Sequence, residues 1–243
     1  MSRNGRRIGA AVLASAAVLG AGGAVAGAAT PSATPPSLSG IQAKAAAAIS
    51  LRVKDLNTAT AKVNGDPRLG SDHAALAAYL QADIGPLQAL GQKIAGDMTA
   101  STAAADFATI FTNYRVLALV LPGAHIAGAA DQVDVTTVPA LAALATKAAT
   151  HVNPSNQAVL QPLLGDLQAQ ITAATNATAG VSGTVLACTP AQWNTNHDLL
   201  TPGRGAVRSA DTDIAKARAD LKQIAADLEP AANAQSAAPT TAS

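Results

Sequence analysis

The sequence predicts an all-α fold, an antiparallel bundle of five to seven alanine-rich helices that follows an N-terminal signal peptide. Hydrophobic residues make up 49% of the chain but aromatic residues only 2%, and much of the apolar content is alanine. Alanine is the best helix former and buries little area, so this composition favours closely packed helices. Apolar residues also recur every three or four positions over long segments, whereas strand-forming residues are sparse and scattered.

The first 28 residues have the three parts of a secretory signal peptide. The basic segment "SRNGRR" precedes the apolar segment "IGAAVLASAAVLGAGGAVAGA", and residues 26–28 form an A-x-A cleavage site. A retained membrane anchor is the alternative, although the many glycines and alanines make the segment only weakly hydrophobic. Arg6 and Arg7 leave the general and the twin-arginine export routes both open. We expect a secreted, extracellular or wall-located protein, cleaved near Ala28 and without a membrane anchor afterwards.

Three further segments are expected after the cleavage site. Residues 29–39, "ATPSATPPSLS", form a Pro/Ser/Thr linker that is too polar and too broken to pack. Residues 230–243, "PAANAQSAAPTTAS", form a tail that is predicted to be disordered. Residues 40–229 lie between them, and their length suits one helical bundle domain.

Two helices are predicted in the first part of this domain. The first covers residues 40–63, and "NGDPRLG" ends it. The second reaches about Gly96, with a kink at Gly85-Pro86 because proline removes a backbone donor and its ring needs space. The apolar face of the first helix consists of Ala46, Ile49, Val53, Leu56, Thr60 and Val63.

The third helix begins near Ser101 and contains "FATIFTNYRVLALVLPG", residues 107–123. Phe107, Phe111 and Tyr114 lie on one predicted packing seam. The helix is apolar on every side from Val116 until Pro122-Gly123 interrupts it, and such a helix belongs in the interior. The apolar run is too short to span a bilayer, which needs about 20 residues. A core that fills the voids left by alanine is the favoured interpretation, and a ligand pocket is the alternative.

The second half is predicted to contain further helices. One has Val138, Leu141, Leu144 and Ala148 on a shared face, and the next runs from about 155 to 187 with an early kink at Pro162. Thr189-Pro190 begins a short helix that carries Trp193 and His197 one turn apart. The seam of the last helix consists of Val207, Ala210, Ile214, Ala217, Leu221, Ile224 and Leu228.

A short sequence echo links the two halves. "KVN" at 62–64 and "HVN" at 151–153 each end a helix and precede a leucine-rich helix that a proline interrupts. A duplicated three-helix half would explain the echo, but chance agreement explains it equally well.

The chain contains no sequence signature of a known catalytic site. Its only glutamate is Glu229, so a zinc-protease motif of the H-E-x-x-H type is impossible. We therefore predict no enzyme, no cofactor and no metal site. Loss of Arg3, Arg6 and Arg7 with the signal peptide would leave thirteen basic against fifteen acidic residues. This slightly acidic balance, with few aromatic residues, argues against a nucleic-acid partner.

Two sets of residues are candidates for a site. The first is a possible ligand pocket, and the residues that would line it are Phe107, Phe111, Tyr114, Trp193 and His197. The second is a possible buried ion pair between Arg115 and Asp83. Arg115 lies in the helix assigned to the interior, and an unpaired buried charge is costly. The single cysteine, Cys188, is expected to be buried and inert rather than available for a bond between molecules.

Three segments of the chain resemble alanine-rich secreted proteins of high-GC Gram-positive bacteria, the actinobacteria, a group without an assigned activity. The segments are "DFATIFTNYRVLALVLPGAHI", "NPSNQAVLQPLLGDLQAQI" and "TPAQWNTNHDLL", and the likeness spans most of residues 41–228. The resemblance implies export and an all-helical body, and it assigns no functional residue.

The expected function is a non-enzymatic structural or interaction module of the cell envelope or extracellular space, with an unknown macromolecular partner. The alternative is a carrier that binds a small apolar ligand between its helices. A carrier needs a closed apolar cavity, whereas an interaction module needs an exposed apolar or charged surface. The sequence leaves the oligomeric state open.

Overall fold

The structure, a computed structural model, describes the backbone of residues 36–236 and the side chains of residues 36–228. This range is helical and contains no strand, so the predicted all-α fold is confirmed. It contains six helical segments when short kinks are ignored, within the predicted five to seven. The predicted signal peptide, most of the predicted linker and the end of the predicted tail lie outside the described residues.

Ten α-helices, labelled here in chain order, form the described range. They are α1 Leu38–Asn64, α2 His73–Gln81, α3 Ile84–Gly96, α4 Ala100–Thr109, α5 Leu121–Gln132, α6 Val138–Ala149, α7 Gln157–Thr178, α8 Val181–Leu186, α9 Pro190–Thr195 and α10 Thr201–Ser236. A 3₁₀ turn covers Pro67–Asp72, and π-helical turns cover Ile110–Tyr114, Val116–Val120 and Val133–Thr137.

The predicted kink before Pro86 is confirmed as the break between α2 and α3. The break falls at residues 82–83. In a continuous helix the Pro86 ring would collide with the carbonyl group of residue 82, and proline has no N–H group to donate to that carbonyl. At the start of the domain, Ser37 caps α1 by accepting a hydrogen bond from the Gly40 amide at 3.1 Å. The last residues of the predicted linker therefore belong to the helical domain.

The predicted interruption at Pro122-Gly123 is wrong. Pro122 lies in the first turn of α5, after the π-helical turn that ends at Val120. A proline in a first turn removes an amide that needs no intrahelical partner, and the wider preceding turn gives its ring space. The helix breaks instead at Arg115, which has a φ of 48° between two π-helical turns.

Helices α4 to α6 and the turns between them form one helical stretch, Ala100–Ala149. By length and composition alone this stretch would suffice to cross a membrane, so the expectation that its apolar run is too short is corrected. The core helix of a globular protein has the same properties, and 56% of its most apolar window is buried inside the protein.

The side chains pack into two main cores and one smaller core. The N-terminal core lies between α1, α2, α3 and α4, with residues such as Leu56, Leu80 and Ile110 fully buried. The C-terminal core lies between α6, α7 and α10. A smaller core joins α5, α8 and the residues around Leu200. The stretch Ala100–Ala149 contributes to both main cores, and the duplication stays a prediction.

Helix α10 has the predicted apolar seam. Ala210, Ile214, Ala217 and Ile224 are buried, mainly against α7. The helix ends at Ser236, beyond the boundary expected near residue 229. Its regular period allowed the sequence to place these inward residues correctly.

Candidate binding groove

The aromatic residues of the predicted pocket are divided between two cores. Phe107 and Tyr114 pack against the N-terminal core, while Trp193 packs against the smaller core. The Trp193 and His197 rings lie 5.6 Å apart, and His197 is exposed. None of these residues lines the grooves described below.

Phe111 does not lie in the core as predicted, because 40% of its surface is exposed. Ile110 is fully buried next to it. The π-helical turn that begins at Ile110 changes the angle per residue and so moves Phe111 off the buried face. The Phe111 ring meets Phe107 edge to face, with centroids 5.2 Å apart, and lies 4.7 Å from the guanidinium carbon of Arg52.

The predicted ion pair between Arg115 and Asp83 is not formed. The Arg115 Nε donates to the Asn194 Oδ1 at 2.7 Å, and the Asn194 Nδ2 donates to the Thr112 carbonyl at 3.0 Å. The left-handed backbone at Arg115 ends the turn at Tyr114 and begins another at Val116, and this local geometry brings its side chain to α9. Asp83 is half-buried, and burial raises the pKa of its carboxyl group.

Residues of the kinds that bind metals are dispersed. Among the described residues no three His, Cys, Asp or Glu side chains form a group that could hold a metal ion. The His73 Nδ1 is hydrogen-bonded to the Gly70 carbonyl at 2.6 Å, and His125 is exposed. Cys188 is half-buried, its Sγ lies 3.5 Å from the Thr184 carbonyl, and burial raises the pKa of its thiol.

Asp131 is a buried carboxylate at the junction of the two halves, with 9% of its surface exposed. The Ser182 hydroxyl donates to its Oδ2 at 3.2 Å. Burial raises the pKa of Asp131, Asp72 and Asp134 act in the same direction, and the bond from Ser182 opposes them. The Thr178 hydroxyl donates to Asp134 at 2.5 Å, so the polar groups of this cluster bind one another.

A groove of about 920 Å³ lies between α1 and α3. Its apolar residues include Ile49 and Val53, and its polar residues are mostly neutral amides and hydroxyl groups with Lys54 as the single charge. A Cβ on Gly91 would lie 3.2 Å from the Ile49 Cδ1, which shows how closely the two helices approach there. This groove could therefore select a ligand by its shape but hardly by its charge.

The second groove runs between α6 and α10 and is called the α6–α10 groove below. It consists of two adjoining pockets of about 580 and 370 Å³. Both pockets are lined by Leu144, Leu221 and Lys222. Half of the Leu144 surface is exposed, so an apolar side chain stands open to solvent inside the groove. The large apolar residues of the groove are Leu141, Leu144, Leu221, Ile224 and Leu228.

The charged groups along the α6–α10 groove are all basic. Arg68 is paired with Asp66, with 2.7 Å between Nη2 and Oδ2. Lys147, Arg218 and Lys222 take part in none of the ion pairs formed by residues 36–228. Beyond Arg218, a neighbouring pocket contains Asp211, whereas the linings of the two groove pockets contain no carboxylate. The basic groups that line the groove are Arg68, Lys147, His151, Arg218 and Lys222.

No known family matches this chain. Comparison with protein-family models, with curated proteins and with solved structures finds no similar protein. The function therefore has to be argued from the geometry and the electrostatics of the molecule itself.

The sequence contained part of the signal for this groove. Leu144 is predicted to share a face with Leu141, yet Leu141 is buried while 50% of the Leu144 surface is exposed. Arg218 and Lys222 lie outside the predicted apolar seam of α10, and both are exposed. Helix α6 has a lysine and no acidic residue. This pattern indicates that the charge on the α6 surface is positive. The gap between α6 and α10 depends on how both helices pack against α7, and periodicity does not encode that separation.

Proposed function

We propose that this chain is an exported, non-enzymatic interaction module of the cell envelope or extracellular space, and that the α6–α10 groove is its binding surface. The observation that carries the proposal is an open, largely apolar groove whose charged lining residues are all basic. Exposed apolar surface framed by polar groups is typical of interaction sites. The unpaired cations add selectivity for an acidic partner.

The open shape of the groove favours an interaction module over the alternative carrier. A carrier encloses most of its ligand in a cavity between helices. Of the side chains proposed for such a cavity, Phe107 and Tyr114 pack against one core and Trp193 against another, while Phe111 and His197 are exposed. A ligand in the α6–α10 groove would keep one side in solvent, so it could remain part of a larger envelope component.

The partner is proposed to be an envelope or extracellular molecule and not a nucleic acid. The export signal that supports this location is a sequence feature of residues 1–28, which lie outside the described range. The groove is lined by no Phe, Tyr or Trp on which bases could stack. Its floor of leucine and isoleucine requires an apolar group on the partner instead.

Fractionation of cells that export the protein tests this proposal. We expect the wild-type protein to be retained in the envelope fraction, and the Leu144→Asp variant to be released into the medium. Leu51→Asp on α1 is the matched control, because Leu51 and Leu144 are 51% and 50% exposed and only Leu144 lines the groove. Equal distribution of all three proteins would refute binding through the groove.

A further inference from the structure

We propose that the ligand of the α6–α10 groove is an anionic single-chain amphiphile, a molecule with one apolar chain and an oxyanion head such as a carboxylate. The inference rests on the proposed function, because it assigns a chemical class to the envelope component bound there. It depends on two features of the groove, an apolar section and a set of cations without partners.

The smaller pocket of the groove requires an apolar occupant. Six of its nine lining residues are apolar, and the full lining is Leu144, Lys147, Ala148, His151, Leu221, Lys222, Ile224, Ala225 and Leu228. Its volume is about 370 Å³, and it lies where the C-terminal end of α6 faces α10. A polar group placed against this surface would lose water without gaining a hydrogen-bond partner, which is unfavourable. A hydrocarbon chain suits this mostly apolar lining.

The adjoining pocket provides the place for an anionic head. Lys222 lines both pockets, so its ammonium group is within reach of their shared boundary. Arg218 lines the larger pocket, and Thr137 supplies a hydroxyl group there, whereas the Thr136 hydroxyl already donates to the Arg68 carbonyl at 2.7 Å. Charge-assisted hydrogen bonds from lysine and arginine to an oxyanion are among the stronger polar contacts in proteins. Long basic side chains can also cover an apolar chain with their methylene groups while their charged ends hold the head.

The charges of the groove distinguish an anionic from a cationic amphiphile. Lys147, Arg218 and Lys222 are exposed and form no ion pair among the described residues. A bound anion would reduce the repulsion between them, whereas a bound cation would increase it. The α1–α3 groove has about 920 Å³ of volume but only Lys54 as a charged group. It serves as an internal comparison for binding that depends on apolar contact alone.

Calorimetric titration of the mature chain with dodecanoate and with dodecyltrimethylammonium, each below its micelle concentration, tests the inference. We expect one dodecanoate per chain and about tenfold weaker binding of the cationic amphiphile, corresponding to one charge contact of about 1.4 kcal/mol. Raising the salt concentration should weaken dodecanoate binding, because the basic groups are exposed.

Four variants locate the binding. Lys222→Glu and Leu144→Asp should each raise the Kd of dodecanoate about tenfold or more. Lys44→Glu and Leu51→Asp change exposed residues of α1 in the same way and should leave the Kd unchanged. Thermal melts of all four proteins establish that each variant is folded.

Three outcomes would overturn the inference. Equal binding of the two amphiphiles would mean that the head charge is not recognised. Binding of vesicles with anionic lipids but not of monomeric dodecanoate would assign the groove to a bilayer surface. Failure to bind dodecanoate while Leu144→Asp is still released from the envelope would leave the proposed function standing and point to an acidic helix of a partner protein. If Leu144→Asp is also retained, the proposed function itself fails.

Discussion

Arg52 shows how a single buried cation is stabilised without a carboxylate at hydrogen-bonding distance. Only 7% of its surface is exposed, and its Nη1 donates to the Ala48 carbonyl at 2.9 Å. The guanidinium carbon lies 4.7 Å from the centroid of the Phe111 ring. Burial lowers the pKa of Arg52, and the charge of Asp55 partly opposes this effect. Phe111 therefore shields the Arg52 guanidinium group more than it contributes to the packing of the core.

Phe111→Ala should lower the free energy of unfolding by about 1 kcal/mol, since it removes a cation–π contact and a partly buried ring. Ile110→Ala, at the fully buried neighbouring position, should cost about 2–5 kcal/mol. Urea denaturation of both variants measures the difference. A loss for Phe111→Ala as large as that for Ile110→Ala would place the ring in the core after all.

Asp131→Asn should stabilise the protein at neutral pH. Burial raises the pKa of this carboxyl group in the folded state, so the folded protein holds its proton to a higher pH than the unfolded chain does. The stabilising contribution of the proton is present at low pH and is lost as the pH rises through the folded-state pKa. The asparagine side chain is neutral throughout, and it can still accept the hydrogen bond from Ser182.

Thermal unfolding between pH 4 and 8 measures this effect. The advantage of Asp131→Asn over the wild type should be largest at the alkaline end and shrink toward pH 4. Asp166→Asn on the exposed face of α7 is the control, and its unfolding temperature should follow that of the wild type. An advantage that does not change with pH would show that ionisation of Asp131 is not its cause.

At the scale of elements, the π-helical turns mark where sequence periodicity stops predicting which residues are buried. Helix α10 keeps a constant angle per residue, so its predicted seam is the observed one. In the stretch Ala100–Ala149 the turn at Ile110–Tyr114 changes that angle, and the predicted position of Phe111 fails with it. Periodicity also does not predict the hydrogen-bond partner of Arg115, because that partner, Asn194, lies in a helix far away in the sequence.

At the scale of the whole molecule, the smaller core holds the two halves together through close contact with α10. A Cβ on Gly203 would lie 2.8 Å from the Val185 Cγ2 and 3.1 Å from the Ile126 Cγ2. Gly203 thus permits α10 to approach both α5 and α8. Sequence periodicity does not reveal this close approach, because it involves side chains from two other helices.

Gly203→Ala should therefore destabilise the protein, although alanine is the better helix former. The added methyl group has no space, and overpacking of this kind costs about 1–3 kcal/mol. Gly205→Ala should instead stabilise the protein by about 0.5–1 kcal/mol, because nothing lies within 4 Å of its added Cβ. Equilibrium denaturation compares the two variants. Stabilisation by both would mean that α10 can move away from the smaller core without cost.

Composition and periodicity predicted the overall fold class, but they did not predict the α6–α10 groove. Alanine content and the regular seams were sufficient to predict an all-α domain. The α6–α10 groove depends on the distance between two helices that both pack against α7. That distance is a property of three helices at once, so no single segment of the sequence contains it.

The stretch Ala100–Ala149 belongs to both main cores, so the two halves of the domain are joined through a helix and not through a loop. At 1.5 Å per residue, its part from Leu121 to Ala149 is about 40 Å long. A molecule held beside α6 would therefore stand at a set distance and angle from the N-terminal half. The domain would act as a rigid spacer, presenting its N-terminal surface in a fixed orientation to whatever lies around the bound molecule.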